Sequence, residues 1–399
     1  MVKSIKNISN VEILKLVFRI SRYLKKKRSF QFYFLVSLVF ICSFFEVVTL
    51  GAVIPFIGIL INPEIVSNSE YFIYFDNKFN ITNTIELSTL FILIFITLVI
   101  FSASLRLGLN ISMIKFSRLI GKDLSEKVFK NIISQKYLFH LNNPSNEIIS
   151  GLTLKITTTT RIFLSLLNIF SSIFLITSIF IALIFVNVTV AISVILVLFT
   201  SYLFVILRVK NIYLMNSNKI AKQQDNVVRI IQESLGSIRD IIIDSKQRLY
   251  IKNYIDSFDS LQKANQKNTI YNQSAKYIIE MIALILISIF ILKMGEQPDG
   301  LVLIMPSLGA IALAGQRMLP MSQMIYSSWS AINSSYNSLK DIHYYLTLKS
   351  LDEDSKELAK MSFRDKIELK DISFKYSEDD REIIKNINLK IAKGTRLGI

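Results

Sequence analysis

The sequence predicts an all-α membrane domain of six long transmembrane helices and two cytoplasmic helical hairpins, followed by a short strand-rich segment. Three observations predict it. The 399 residues are 51% hydrophobic and 19% charged, with a mean hydropathy of +0.44, whereas a soluble globular chain carries about 25% charged residues. Six apolar stretches are long enough to cross a hydrocarbon core, which takes about 20 residues of helix. Lysine and arginine crowd alternate connections between those stretches. So apolar a chain cannot stay solvated and disordered. Its single cysteine, Cys42, excludes a disulfide framework or a cysteine zinc cluster, and two histidines, His140 and His343, leave little for a metal site.

Residues 1–29 form a basic cytoplasmic segment, ending in Lys25, Lys26, Lys27 and Arg28. The apolar run that follows is too long for a signal peptide, and no small-residue cleavage site follows it. The spans fall near 30–61, 86–108, 161–186, 188–207, 277–297 and 300–325, within a membrane domain over 30–340. The second contains LSTLFILIFITLVIFSASL (87–105), without a charge, and only Asn187 separates the third from the fourth. Nine Lys and Arg lie in 1–29, nine in 106–161 and twelve in 208–276. The segments read as outer hold only Lys78 and Lys293, beside Glu64, Glu70, Asp76, Glu296 and Asp299. This asymmetry predicts cytoplasmic termini. The net charge of +16 is then an orientation signal facing anionic lipid, and nucleic acid is not an expected partner.

The connections 109–160 and 208–276 are far longer than ordinary bundle loops. In LIGKDLSEKVFKNIISQ (119–135), Leu124, Val128, Ile132 and Ile133 share a helical face. Each connection therefore reads as two helices of about 25 residues, projecting roughly 35–40 Å into the cytosol. Their tips fall in 137–152 and 233–250. The charged stretch 341–362 reads as a linker. Beyond it, Ile367, Leu369, Ile372, Phe374 and Tyr376 mark a strand with a one-residue slip at Asp371. An acidic turn and a second strand through Ile387, Leu389 and Ile391 follow, and a third strand is expected from Thr395.

Together these features resemble an ATP-binding cassette (ABC) exporter half-transporter, the type I exporter fold. Residues 363–399 are similar to the opening strands of its α/β nucleotide-binding domain, here incomplete. The resemblance implies that Tyr376 stacks on adenine, and that the full-length protein uses ATP and Mg2+. The phosphate loop, G-x-x-x-x-G-K-[ST], would follow at once after Ile399, but neither it nor any later cassette motif is in the sequence. The chain as written is therefore expected neither to bind ATP productively nor to hydrolyse it, as a fragment or truncated product. A second half-transporter, most simply another copy, is the implied partner. The hairpin tips would seat in the cassettes through Tyr137, Phe139 and His140 in the first, and Ile238, Ile241 and Ile242 in the second.

Within the family, ICSFFEVVTLGAVIPFIGILINPEIV (41–66), FHLNNPSNEIIS (139–150) and AGQRMLPMSQMIYSS (314–328) resemble bacterial flippases of lipid-linked oligosaccharides. That implies a bacterial inner-membrane protein whose cargo is an amphiphile carrying a pyrophosphate. Two intramembrane charges bear on such a cargo. Glu46 lies midway along the first span, where a carboxylate costs a few kcal/mol on insertion scales and must face protein or water. Arg317 lies between Leu313 and Leu319 of the sixth, and its fork fits phosphate oxygens. Each has a plainer reading: Glu46 satisfied by a neighbouring helix's hydroxyl or amide, and Arg317 paired with Glu46 or with a backbone carbonyl to hold helices together. In the outer loop, Tyr71, Phe72, Tyr74 and Phe75 are expected at the membrane interface, either anchoring the chain or meeting a lipid tail. The rivals are a peptide or drug exporter, and a non-transporting sensor, regulator or degenerate half with the same fold.

Overall fold

The computed structural model describes residues 10–61, 84–186, 188–295, 300–349, 363–375 and 382–398. Tyr376 and the aromatic set Tyr71, Phe72, Tyr74 and Phe75 lie outside the described residues. The chain divides into two compact units, residues 1–129 with 146–347, and residues 130–145 with 348–399.

The described residues of the first unit are helical apart from short turns. A short amphipathic helix, α1 (Asn10–Ser21), precedes α2 (Lys27–Ile61), whose residues cover the first predicted span. The third helix, α3 (Thr84–Ile133), runs for 50 residues without interruption, joining the second predicted span to the first arm of the first predicted hairpin. After the first tip, α5 (Ser145–Ser150), a π-helical turn (Gly151–Lys155) and α6 (Ile156–Val186) form one rod. The second hairpin consists of α7 (Val188–Gly236), a tip helix α8 (Ile238–Ile243) and α9 (Gln247–Gly295). Helix α10 (Gly300–Ser334) covers the sixth predicted span and leads into α11 (Tyr336–Thr347). Residues 341–347, expected as the start of a linker, are therefore helical. Leu339, Ile342, Tyr345 and Leu346 give them a buried apolar face at helical spacing.

Three helical segments among the described residues are long and apolar enough to cross a membrane: Lys27–Val53, Ile92–Ile133 and Ser145–Phe185. Their outward faces carry bare apolar side chains such as Phe40, Phe44, Leu93, Ile100 and Phe185, which suits a lipid solvent and not water.

The core of this unit brings together helices far apart in sequence. Leu50 of α2, Leu175, Ile179 and Leu183 of α6, Ile279 of α9, and Ala314, Met318 and Met321 of α10 form one buried cluster. Helix α3 joins through side chains: Phe45 meets Phe101 edge-on at 4.7 Å, and Phe56 stacks on Phe95 at 4.8 Å. Towards the hairpin, Ser117 donates to the Thr160 carbonyl at 2.8 Å. Gly121 makes that approach possible, since a Cβ there would sit 2.5 Å from Thr160 Oγ1. At the basic start of α2, Arg28 binds Asp123 of α3 through Nε at 2.8 Å and Nη2 at 3.1 Å. That bidentate fork fixes where α2 crosses α3.

Helix α11 packs against α1, and His343 on it has a buried Nδ1 with no hydrogen-bond partner among the described residues. Burial, aided by the nearby positive charge of Arg19, pushes its pKa below the ordinary histidine value. An unfolded histidine titrates near ~6.5, so below that pH the unfolded chain binds more protons and stability falls. The purified protein is expected to melt at a lower temperature at pH 5.5 than at pH 7.5. His343→Gln should flatten that dependence, as followed by Trp329 fluorescence.

The second unit contains the first hairpin tip and a two-stranded antiparallel sheet, β1 (Lys366–Phe374) and β2 (Ile384–Ala392). The register is regular from Lys366↔Ala392 to Leu369↔Leu389 and shifts before Ile372↔Ile387. Asp371, where the alternation slips in sequence, has φ +49° and donates its N–H to Asn388 Oδ1 at 2.9 Å. No third strand follows among the described residues. Gly394 turns the chain at φ +88°, and Thr395 binds back to the Ala392 carbonyl through its N–H and hydroxyl. No neighbouring strand lies alongside 395–398 there to take up their backbone groups.

Candidate functional site

Four helices of the first unit line an open cavity of about 690 Å³. The sequence explains which side chains reach it. Ser102, Arg106 and Met113 of α3, and Asn168, Ser171 and Leu175 of α6, recur at the spacing that keeps one helix face aligned. From α10 come Gln316, Arg317, Pro320, Met321 and Met324, and from α2 comes Glu46. The lining thus has a polar part, of hydroxyls, amides and charges, and an apolar part of leucine and methionine.

Glu46 and Arg317, singled out separately, meet here. Glu46 is 2% exposed, and its Oε2 accepts from the Ser102 hydroxyl at 2.8 Å while ion-pairing with Arg317 Nη1. The Arg106 guanidinium lies 3.9 Å from Oε1, which has no hydrogen-bond partner among the described residues. Both plainer readings of the sequence therefore hold as geometry: the carboxylate has its hydroxyl, and the arginine has its carboxylate. They do not exhaust it. The two arginine side chains stay partly open, 47% for Arg106 and 23% for Arg317, and two positive charges face one negative. That excess unit of positive charge in a cleft favours an anion.

Arg106 escaped the sequence reading because it lies at the end of the second predicted span, among the cations used to orient the chain. Its spacing, four residues after Ser102 on a lining face, was the available signal.

A second polar cluster was not foreseen. Lys155, only 3% exposed, places Nζ 2.8 Å from Asp225 Oδ1 of α7 and 2.9 Å from Asp341 Oδ2 of α11. The π-helical turn Gly151–Lys155 carries it; such wide turns often sit at functional positions. Tyr345 of α11 closes on the same turn, where a Cβ on Gly151 would lie 2.7 Å from its ring. The Tyr345 hydroxyl donates to the Glu147 carbonyl at 3.5 Å. Both hairpin arms and the helix following α10 are thereby tied at one point.

The first hairpin tip folds as a short helix, α4 (Tyr137–Asn142), with no buried residue. Tyr137 is exposed, and the Phe139 and His140 rings meet edge-on at 5.3 Å. In the second tip, Ile238 and Ile242 are exposed whereas Ile241 is buried. Of these three, Ile238 and Ile242 are open to a partner. The strands β1 and β2 are largely exposed and hold no phosphate cradle among the described residues.

Residues 36–293 match the family described as the ABC transporter transmembrane region. That interval contains Glu46, Arg106, Lys155 and Asp225; Arg317 and Asp341 lie beyond it. No curated protein matches the chain. The family match spans more than half of the sequence, in agreement with the helical architecture around the cavity: the chain belongs to the ABC transporter transmembrane region family.

Proposed function

We propose that this chain is the membrane-spanning half of an ATP-driven exporter or flippase whose cargo is an amphiphile with an anionic head, such as a lipid-linked oligosaccharide. The observation that carries the reading is the pair of guanidiniums, Arg106 and Arg317, sharing one carboxylate in an amphipathic cavity. Their free donors suit the oxygens of a pyrophosphate, and the methionine and leucine side suits an apolar chain. Six spans, cytoplasmic termini and a bacterial inner-membrane location complete the proposal. A second half, most simply another copy, would supply the other wall of the path. ATP and Mg2+ would act on cassettes, for which Tyr376 would offer the adenine-stacking surface and the hairpin tips the docking contacts.

The test needs only the chain itself. Reconstituted in phosphatidylcholine nanodiscs, it is expected to bind a polyprenyl pyrophosphate at least about tenfold more tightly than the polyprenol, a difference of ~1.4 kcal/mol. The polyprenyl monophosphate should fall between them. Equal binding of all three would reject the anion site.

A further inference from the structure

Glu46 does more than neutralise its neighbours. Its carboxylate is buried at the cavity wall, held in place by Ser102, and ion-paired with the guanidinium that an anionic head would use. A head group binding Arg317 must therefore compete with an anion that is already there and cannot leave, because it belongs to α2. We infer that Glu46 is a resident counter-anion: it holds Arg317 while the cavity is empty, yields it to an anionic cargo, and reclaims it on release. The inference rests on the proposed anion site.

The physical argument is one of balance. Without Glu46, Arg106 and Arg317 would present two uncompensated positive charges to the cavity, and a polyanion would enter readily but leave slowly. A transporter needs binding strong enough to load and weak enough to release, and a built-in competitor lowers the affinity without removing the recognition. The carboxylate is suited to this. Its partners come from two different helices, Arg317 from α10 and Arg106 from α3, so a shift of either helix changes how firmly Glu46 holds them. Oε1 is held loosely, since it is buried without a hydrogen-bond partner among the described residues and the Arg106 contact at 3.9 Å is an ion pair without a hydrogen bond.

Competition and scaffolding predict opposite signs. If Glu46 competes, Glu46→Gln binds polyprenyl pyrophosphate about tenfold or more tightly than the wild type does, with slower dissociation, because the repulsion it relieves scales with cargo charge. The gain is smaller for the monophosphate and absent for the polyprenol. If Glu46 merely holds the arginines in position, the variant binds the pyrophosphate no better or more weakly, and the inference is overturned. Difference infrared spectra of the wild type, with 13C-labelled glutamate carboxyls, give a reading independent of how the variant folds. Pyrophosphate binding should shift a glutamate carboxylate band that polyprenol leaves alone; no shift would count against the exchange. A wild type indifferent to head-group charge would instead defeat the anion site itself.

Discussion

Lys155→Met is expected to lower the apparent melting temperature of the purified protein by about 5–10 °C. Removing one partner from a buried ion pair costs about 3–5 kcal/mol, because the other partner is left uncompensated; a kilocalorie moves the midpoint of a large domain by about 2 °C. Lys155 is 3% exposed, and methionine matches its length but not its charge. Asp225 and Asp341 would then face each other across a site from which the cation had gone. The greater openness of Asp341, whose side chain is 39% exposed, limits the loss to the lower part of that range. Adding Asp225→Asn and Asp341→Asn to Lys155→Met should recover part of the stability, since no stranded carboxylate remains. A melting temperature unchanged by Lys155→Met would mean that the cluster is solvated and joins nothing. The variant matters because the π-helical turn, α7 and α11 meet at this lysine, so its loss would uncouple one arm of each hairpin from the helix after α10.

The contrast between Lys155 and Glu46 shows what the sequence can carry. A carboxylate among phenylalanines stands out because its cost in the membrane is local and large, so Glu46 and Arg317 were legible one at a time. Their meeting was legible only as one of two arrangements, since nothing in either helix fixes which neighbour it faces. Lys155 and Arg106 were hidden for a different reason. Each was one of nine basic residues in a segment read as a topology signal, and summing charge over a loop erases which cation is buried. The partners that bury Lys155 lie 70 and 186 residues away, and no periodicity connects them. The π-helical turn likewise leaves no pattern, whereas the slip at Asp371 interrupts a strict alternation and was visible beforehand. At the second tip, Ile238, Ile241 and Ile242 looked equivalent in a six-residue helix, and packing alone separates the buried one from the exposed pair.

Arg317→Gln is expected to weaken polyprenyl pyrophosphate binding by about 30-fold or more, since truncating one member of a buried charge pair costs roughly 2–5 kcal/mol. Arg106→Gln should cost only a few-fold: its side chain is twice as open and makes no hydrogen bond to Glu46. Stability runs on a separate account and distinguishes recognition from scaffolding. In Arg317→Gln, the Glu46 carboxylate keeps Ser102 and the looser Arg106 contact but loses its main counter-charge, so the melting temperature should also fall. The double variant Glu46→Gln/Arg317→Gln removes both charges together. It is expected to regain stability, because the buried carboxylate is no longer stranded, while the pyrophosphate affinity stays low, because the guanidinium is gone. Recovery of binding along with stability would mean that Arg317 serves only to hold α10 against α2, and the cavity would then need another basis for recognising its cargo.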